Sequence, residues 1–138
     1  MTRLCPPGIV PSFIRFVTIA ASVPEPTFDS DGYPTQETLD RIATWPIVTF
    51  ADMAAAMDYA GRAWTPHHLW RCQARFRERT KGPWKPGPKR RYVFSTGGWS
   101  GNESIVAAIE RNDMLQTVGA YSWRRGGHYE YRFPVAER

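Results

Sequence analysis

Residues 92–133 decide the fold of this chain: they begin YVFSTGGWSGNE and end YSWRRGGHYEYRF. The first stretch carries aromatic and β-branched residues up to Phe94, which is typical of a strand, and two glycines then interrupt it. Ser100 and Glu103 have the spacing of a capping box, so we predict a helix that begins one or two residues after Ser100. A strand, a glycine-rich loop and a helix are therefore expected in that order.

The end of this stretch predicts a β-hairpin. Aromatic residues alternate with polar ones on both sides of residues 125–127, which we interpret as a three-residue loop with its last glycine in the left-handed conformation. This register pairs Trp123 with Tyr129 and Tyr121 with Tyr131, so four aromatic rings share one face. We expect that face to be covered by the rest of the domain.

Two helices are predicted before this unit. Thr35 is a candidate cap for the first. Thr49 and Asp52 resemble a capping box for the second, with Val48 and Met53 at the positions of a hydrophobic staple. Both segments place apolar residues at helical spacing, so we expect them to pack on the sheet.

A third helix is predicted to begin at residues 65–66, with proline at its first position. Its buried stripe would contain Leu69, Cys72 and Phe76, which are three or four residues apart. The fold class is therefore α+β: two or three N-terminal helices followed by a β-α-β-β unit with a small antiparallel sheet. The predicted domains are an irregular N-terminal extension over residues 1–27 and a single domain over 28–138, with a basic helix or loop insertion at 66–91.

Composition limits the classes of function. The net charge of +5 favours acidic partners, and the aromatic content is high at 14%. Cys5 and Cys72 are far apart and form no metal spacing, so we interpret them as free thiols in a reducing compartment. His67 and His68 are adjacent and cannot share a helix face, so no metal site is expected. No apolar run approaches ~20 residues, and no membrane span is expected.

The charge is concentrated in residues 71–91, which hold nine of the 18 Lys and Arg residues and one carboxylate, Glu78. Such a segment suits phosphates, and interleaved aromatics suit unpaired bases. An acidic protein would use the same residues, and a solvated helix face and loop would also account for them. The candidate residues for binding nucleic acid or an acidic partner are Arg71, Arg75, Arg77, Arg79, Lys81, Trp84, Lys85, Lys89, Arg90 and Arg91.

The glycine-rich loop is a candidate ligand site, because a strand, a loop and a helix N-terminus gather free backbone N–H groups. Neither a P-loop nor a dinucleotide fingerprint is present, so no cofactor is predicted. A capped strand-to-helix turn explains the same residues. Candidate ligand-binding residues are Gly97, Gly98, Trp99, Ser100, Asn102, Arg124 and Arg125. Glu103 and His128 are the weak candidates for proton transfer.

Three motifs carry a resemblance: DGYPTQETL at 31–39, STGGWSGNE at 95–103 and RRGGHY at 124–129. Together they resemble a family of small, mostly uncharacterised proteins encoded by bacteriophages and prophages. The resemblance implies a phage origin and action in the cytoplasm of a bacterial host. It supplies no catalytic residues. The basic insertion is longer than in the form typical of that family.

Three hypotheses of function follow. The first is a phage accessory protein without catalytic activity that binds a host macromolecule, either nucleic acid or a nucleic-acid-handling or defence complex. The second is a small enzyme or a binder of a phosphorylated or nucleotide-like ligand at the glycine-rich loop. The third is a virion or assembly component.

Overall fold

The computed structural model describes residues 24–64 and 70–135. The helices and strands of this part, in chain order, are α1 (Gln36–Ala43), α2 (Phe50–Arg62), β1 (Trp70–Phe76), β2 (Lys89–Ser95), α3 (Ser100–Glu110), β3 (Ala120–Arg124) and β4 (His128–Pro134). A π-helical turn, Leu115–Gly119, connects α3 to β3. Within the described residues, no helix has the length and apolar character needed to cross a membrane.

The four strands form one antiparallel sheet in the order β1-β2-β4-β3. Two helices precede the strands, and β2, α3, β3 and β4 make up the predicted β-α-β-β unit. The predicted α+β class is therefore confirmed. The sheet has one more strand than expected, because β1 pairs with β2 and places Cys72 opposite Tyr92.

The added strand replaces a predicted helix. Residues 70–76 form β1, so the third helix expected from residues 65–66 is wrong for this segment. Trp70 and Cys72 are buried and the residues that follow each of them are exposed, which is the two-residue period of a strand. The prediction relied on the helical spacing of Cys72 and Phe76, but a bulge between them moves Phe76 to the other face of the sheet.

Cys72 is disulfide-bonded, so the prediction of a free thiol is wrong for this residue. The sequence alone did not reveal this, because disulfide formation depends on a Cα separation that only the fold determines. Cys5 and Leu69 lie outside the described residues, as do residues 1–23 of the predicted N-terminal extension. At the end of that extension, the Thr27 backbone N–H donates to the Thr38 hydroxyl at 2.9 Å.

The caps of the first two helices agree with the predictions. Thr35 caps α1, and its hydroxyl accepts from the Thr38 backbone N–H. Thr49 and Asp52 form a reciprocal capping box at the start of α2. The staple predicted for Val48 is wrong, because this side chain is 88% exposed.

The helices cover one face of the sheet, which we call the inner face. Its core combines sheet aromatics with aliphatic and methionine side chains of the helices: Tyr92, Phe94, Tyr131, Phe133, Met53, Met57, Ile105 and Ile109. Gly61 allows a close approach of α2 to Trp70 of the sheet. A Cβ atom at this position would lie 2.5 Å from the Trp70 ring, so the indole occupies the space that a side chain would need.

One polar pair interrupts this core. The Tyr92 hydroxyl donates to the Asp58 carboxylate at 2.9 Å. Burial raises the pKa of Asp58 to about 6, although the Tyr92 hydrogen bond and the charges of Arg90 and Arg62 oppose the shift. The protonated form of Asp58 is thus favoured by folding, which gives the stability of this domain a pH dependence.

Candidate nucleic-acid interface

The two glycine-rich turns meet in space. Because β2 and β4 are antiparallel, Ser95 at the end of β2 lies opposite His128 at the start of β4. The Thr96 backbone N–H donates to the Gly127 carbonyl at 2.9 Å, which joins the strand-to-helix loop to the hairpin tip. Gly127 has a φ of +80°, and a Cβ atom there would overlap the Thr96 hydroxyl. This position therefore requires glycine both for its conformation and for its contact.

The loop before α3 is held from within. The buried Asn102 amide donates to the Thr96 carbonyl at 3.2 Å, and the Gly98 backbone N–H donates to the Thr96 hydroxyl at 3.2 Å. Gly97 and Gly98 both have positive φ angles, which allow this tight turn. Asn102 is thus enclosed by the loop that it stabilises, whereas Gly97 and Gly98 remain exposed.

The predicted cap of α3 is wrong. The helix begins at Ser100, its N-cap residue is Trp99, and no side chain caps it. The Ser100 hydroxyl donates instead to the Tyr33 hydroxyl at 3.2 Å. Since Ser100 already has helical geometry, it cannot play the role of a residue that precedes the helix. The Trp99 ring packs at a tilt against the same Tyr33 ring with centroids 4.8 Å apart, so the segment near residue 33 partly covers the loop.

The candidates for proton transfer have separate surroundings. The His128 Nδ1 atom lies 2.9 Å from the Ser95 hydroxyl oxygen. Glu103 is exposed, and within the described residues no hydrogen bond or ion pair joins it to His128. Arg124 and Arg125 are exposed at the hairpin tip nearby. The meeting of the turns therefore produces a Ser95–His128 pair beside two arginines, rather than the Glu103–His128 pair considered from the sequence.

The register of the hairpin is partly as predicted. Trp123 pairs with Tyr129, as expected. The pairing of Tyr121 with Tyr131 is wrong, because Ala120 occupies the position opposite Tyr131 and Tyr121 lies in an irregularity of the strand. The expected cover is also wrong for β3, whose five residues are all exposed. Tyr121 turns to the face of the sheet away from the helices, which we call the outer face, where its ring lies 3.6 Å from the Arg132 guanidinium carbon.

The outer face carries a network of ion pairs. Glu130 accepts from Arg91 at 2.6 Å and from Arg132 at 2.5 Å, and Arg132 also reaches Glu78 at 2.7 Å. Lys89 lies 3.5 Å from the same Glu78 carboxylate. Burial would raise the pKa of Glu130, but hydrogen bonds from Arg91 and Arg132 together hold it below its usual value. The Arg132 hydrogen bond likewise lowers the pKa of Glu78. We call these five residues the outer-face network.

An aromatic ring organises the arginines of this network. The Arg91 and Arg132 guanidinium groups lie 5.0 and 4.7 Å from the centroid of the Phe76 ring. Stacking and paired hydrogen bonds together fix both side chains in position. The Arg91 side chain is therefore held by contacts within the fold, although it belongs to the basic segment that was predicted to bind a partner.

The segment between β1 and β2 differs from the outer-face network, because several of its cations are exposed. Residues 77–88, which we call the basic arm, expose the side chains of Arg77, Arg79, Lys81 and Lys85. In the part of the chain that the structure describes, none of these four forms an ion pair. Trp84 is 71% exposed, and the Thr80 hydroxyl donates to its carbonyl at 3.0 Å, which shapes the tip of the arm.

The other predicted binding residues of this segment divide into two groups. Arg71 and Arg75 are exposed on β1, at an edge of the sheet. Lys89, Arg90 and Arg91 are half-buried on β2. Arg90 reaches inward, with a nitrogen 3.4 Å from the Tyr92 hydroxyl oxygen. The exposed group, together with the basic arm, provides six exposed cations.

The basic arm returns across the outer face. Its first residues form a groove of about 440 Å³ with the sheet, lined by Phe76, Arg77, Glu78, Arg79, Tyr121 and Arg132. We call this the outer groove. It connects the cations of the arm to β3 at the opposite edge of the sheet. Four of its lining residues, Phe76, Glu78, Tyr121 and Arg132, were absent from the predicted sites. Only the fold brings Tyr121 and Arg132 beside the arm.

Comparison with known proteins adds no relative to this description. No protein-family model, curated protein or solved structure matches the chain.

Proposed function

We propose that this is a phage-encoded accessory protein that binds nucleic acid in its host through the basic arm and the exposed edge of β1, without catalysis. The observation that carries the proposal is the exposure of Arg77, Arg79, Lys81 and Lys85 on one arm, with no carboxylate paired to any of them among the described residues. Unpaired cations are available to phosphates, whereas the arginines of the outer-face network are already neutralised.

Aromatic exposure favours nucleic acid over an acidic protein. Trp84 at the tip of the arm is 71% exposed, and Tyr121 borders the groove into which Arg77 and Arg79 project. Cations beside exposed rings suit a single strand of nucleic acid, because the cations contact its phosphates while the rings stack on its bases. The resemblance of three motifs to phage and prophage proteins supports the proposed origin.

The test is binding of a fluorescent single-stranded oligonucleotide, measured by anisotropy at several salt concentrations. If all six exposed cations contact phosphates, the slope of log affinity against log salt should approach about −4, at roughly 0.7 per contact. A variant with Arg77→Gln, Arg79→Gln and Lys85→Gln should make that slope about 2 less negative. Competition with polyglutamate separates nucleic acid from a general acidic partner.

A matched control variant has the same net charge as the variant with three Gln substitutions in the arm. Arg41→Gln, Arg62→Gln and Arg111→Gln remove three cations from α1, α2 and the end of α3, which lie outside the proposed interface. This control should bind with a nearly unchanged slope. Equal losses in both variants would mean that net charge alone drives binding, and salt-independent binding would contradict the proposal directly.

A second candidate function rests on the meeting of the glycine-rich turns. Arg124 and Arg125 lie beside the Ser95–His128 pair, and a small phosphorylated or nucleotide-like ligand would suit these cations. Several residues of the two glycine-rich turns already have a structural role, because Asn102 and Gly127 hold the turns together. Calorimetric titration with inorganic phosphate and nucleoside monophosphates, repeated with Arg124→Gln and Arg125→Gln, distinguishes this candidate from the first.

A further inference from the structure

A second groove follows the edge of the sheet at β3, and it has an aromatic wall. Its volume is about 450 Å³, and it lies where α3 and the π-helical turn leave part of the hairpin uncovered. Trp123 and Tyr129, which pair across the hairpin, line one side. Glu110 and Gln116 line the helical side. We call this the edge groove.

The aromatic wall is open to solvent. Trp123 is 63% exposed and Tyr121 is 55% exposed, on a strand in which every residue is exposed. An exposed indole forgoes the free energy that burial would provide, and neighbouring exposed aromatics mark interaction surfaces. Since Trp123 contributes little buried surface to the core, its large ring is available to a partner.

The polar groups of the edge groove restrict what that partner can be. The Glu110 carboxylate accepts hydrogen bonds, and the Gln116 amide both donates and accepts them. Glu110 is close enough to the buried Tyr131 hydroxyl to add to the effect of burial in raising its pKa. A carboxylate inside the groove repels a phosphate but accepts from the amino group of a base. The groove thus suits a nucleobase whose backbone stays outside.

The edge groove and the outer groove share one lining residue. Tyr121 lines both, and Arg77 and Arg79 line the outer groove on its other side. Trp123 is two residues along β3 from Tyr121, which is about 7 Å at ~3.4 Å per residue. One chain of phosphates passing over the two arginines can therefore bring a base to Trp123 without leaving the surface.

We propose that the edge groove receives an unpaired base of a single nucleic-acid strand, stacked on Trp123, while the basic arm holds the phosphates of that strand. This inference rests on the proposed function and narrows its partner from nucleic acid in general to single strands. The bases of a duplex are paired and stacked, so they cannot enter the groove unless they are first extruded.

The test compares Trp123→Ala and Trp123→Phe in the full chain, with a single-stranded oligonucleotide as the probe. Trp123→Ala should weaken binding by roughly 5- to 100-fold, the contribution of one stacked base, with an unchanged salt slope. Trp123→Phe retains a ring and should recover most of the affinity. The variant with Arg77→Gln, Arg79→Gln and Lys85→Gln should instead change the slope of log affinity against log salt. Thermal melts should coincide for all Trp123 variants, because this side chain lies outside the core.

The outcomes separate the two proposals. If the wild type binds single strands but Trp123→Ala stays within twofold of it, the stacking inference is overturned and the proposed function stands. If the wild type binds no nucleic acid, the proposed function fails and the inference fails with it. Duplex binding as tight as single-strand binding also overturns the inference. So does sedimentation showing that Trp123→Ala dissociates a dimer, because β3 would then be an interface between copies.

Discussion

Two neighbouring groups of cations in this protein have opposite surroundings. In the outer-face network, Arg91 and Arg132 share the Glu130 carboxylate and stack on Phe76. In the basic arm, Arg77 and Arg79 are exposed and form no ion pair within the described residues. The comparison teaches that the charge of a segment does not measure the charge available to a partner. The sheet register decides this, because it places Glu130 of β4 beside the arginines of β2.

The largest effect expected from this comparison is on stability, at Glu130. Glu130→Gln leaves Arg91 and Arg132 half-buried beside a neutral amide, and we expect a loss of about 3 kcal/mol in the free energy of unfolding. Urea denaturation at neutral pH measures it. Glu103→Gln, which removes an exposed carboxylate without an ion pair in the described structure, is the control and should change the free energy by less than about 0.5 kcal/mol. A similar small change for Glu130→Gln would mean that the network contributes nothing.

The second prediction concerns pH and contrasts this network with the core. Glu78 and Glu130 have lowered pKa values, so their contribution is present at neutral pH and is lost as the pH falls through their folded-state values. Asp58 behaves in the opposite way. Its pKa is raised to about 6, so the native state holds the extra proton and stability falls as the pH rises from about 4 to about 6.

Asp58→Asn should remove the loss of stability that accompanies the rise in pH from about 4 to about 6. Because a shift of one pKa unit corresponds to about 1.4 kcal/mol, the variant should gain about 3 kcal/mol over the wild type at pH 8 and little at pH 4. Thermal melts from pH 3 to pH 8 measure the difference. A constant difference across this range would show that Asp58 does not titrate with folding. The acid limb due to Glu78 and Glu130 should remain in the variant.

The third prediction separates charge from geometry in the network. Arg132→Lys keeps the charge but loses the planar group that contacts Glu130, Phe76 and Tyr121. We expect a loss of about 1–2 kcal/mol in urea denaturation. Arg71→Lys at the exposed edge of β1 is the matched control and should be nearly neutral. If Arg132→Lys is equally neutral, the network requires only a positive charge at this position.

The sequence predicted what depends on neighbouring residues. The caps at Thr35 and Thr49, the order of β2, α3 and the hairpin, and the pairing of Trp123 with Tyr129 all follow from local spacing. The start of α3 was wrong because the partner of Ser100 is Tyr33, which is distant in sequence.

The candidate site was harder to predict than the fold for the same reason. Pairing between β2 and β4 decides that the two glycine-rich turns meet and that Glu130 neutralises Arg91. The irregularity at Tyr121 turns this ring towards Arg132, and no local pattern indicates it. Sequence spacing therefore identified the exposed cations of the arm but also included the neutralised ones.

The smallest expected effect is on the stability of the arm itself. Arg77→Gln, Arg79→Gln and Lys85→Gln together remove three cations, yet these side chains are exposed and make no ion pairs in the described structure. We expect the free energy of unfolding to stay within about 0.5 kcal/mol of the wild type. Any change should be a slight gain at low salt, because the net charge falls from +5 and like charges repel less. Urea denaturation at two salt concentrations measures this. A loss comparable to that of Glu130→Gln would mean that these three side chains are held by the fold, as Arg91 and Arg132 are. These cations would then be unavailable to a nucleic-acid partner.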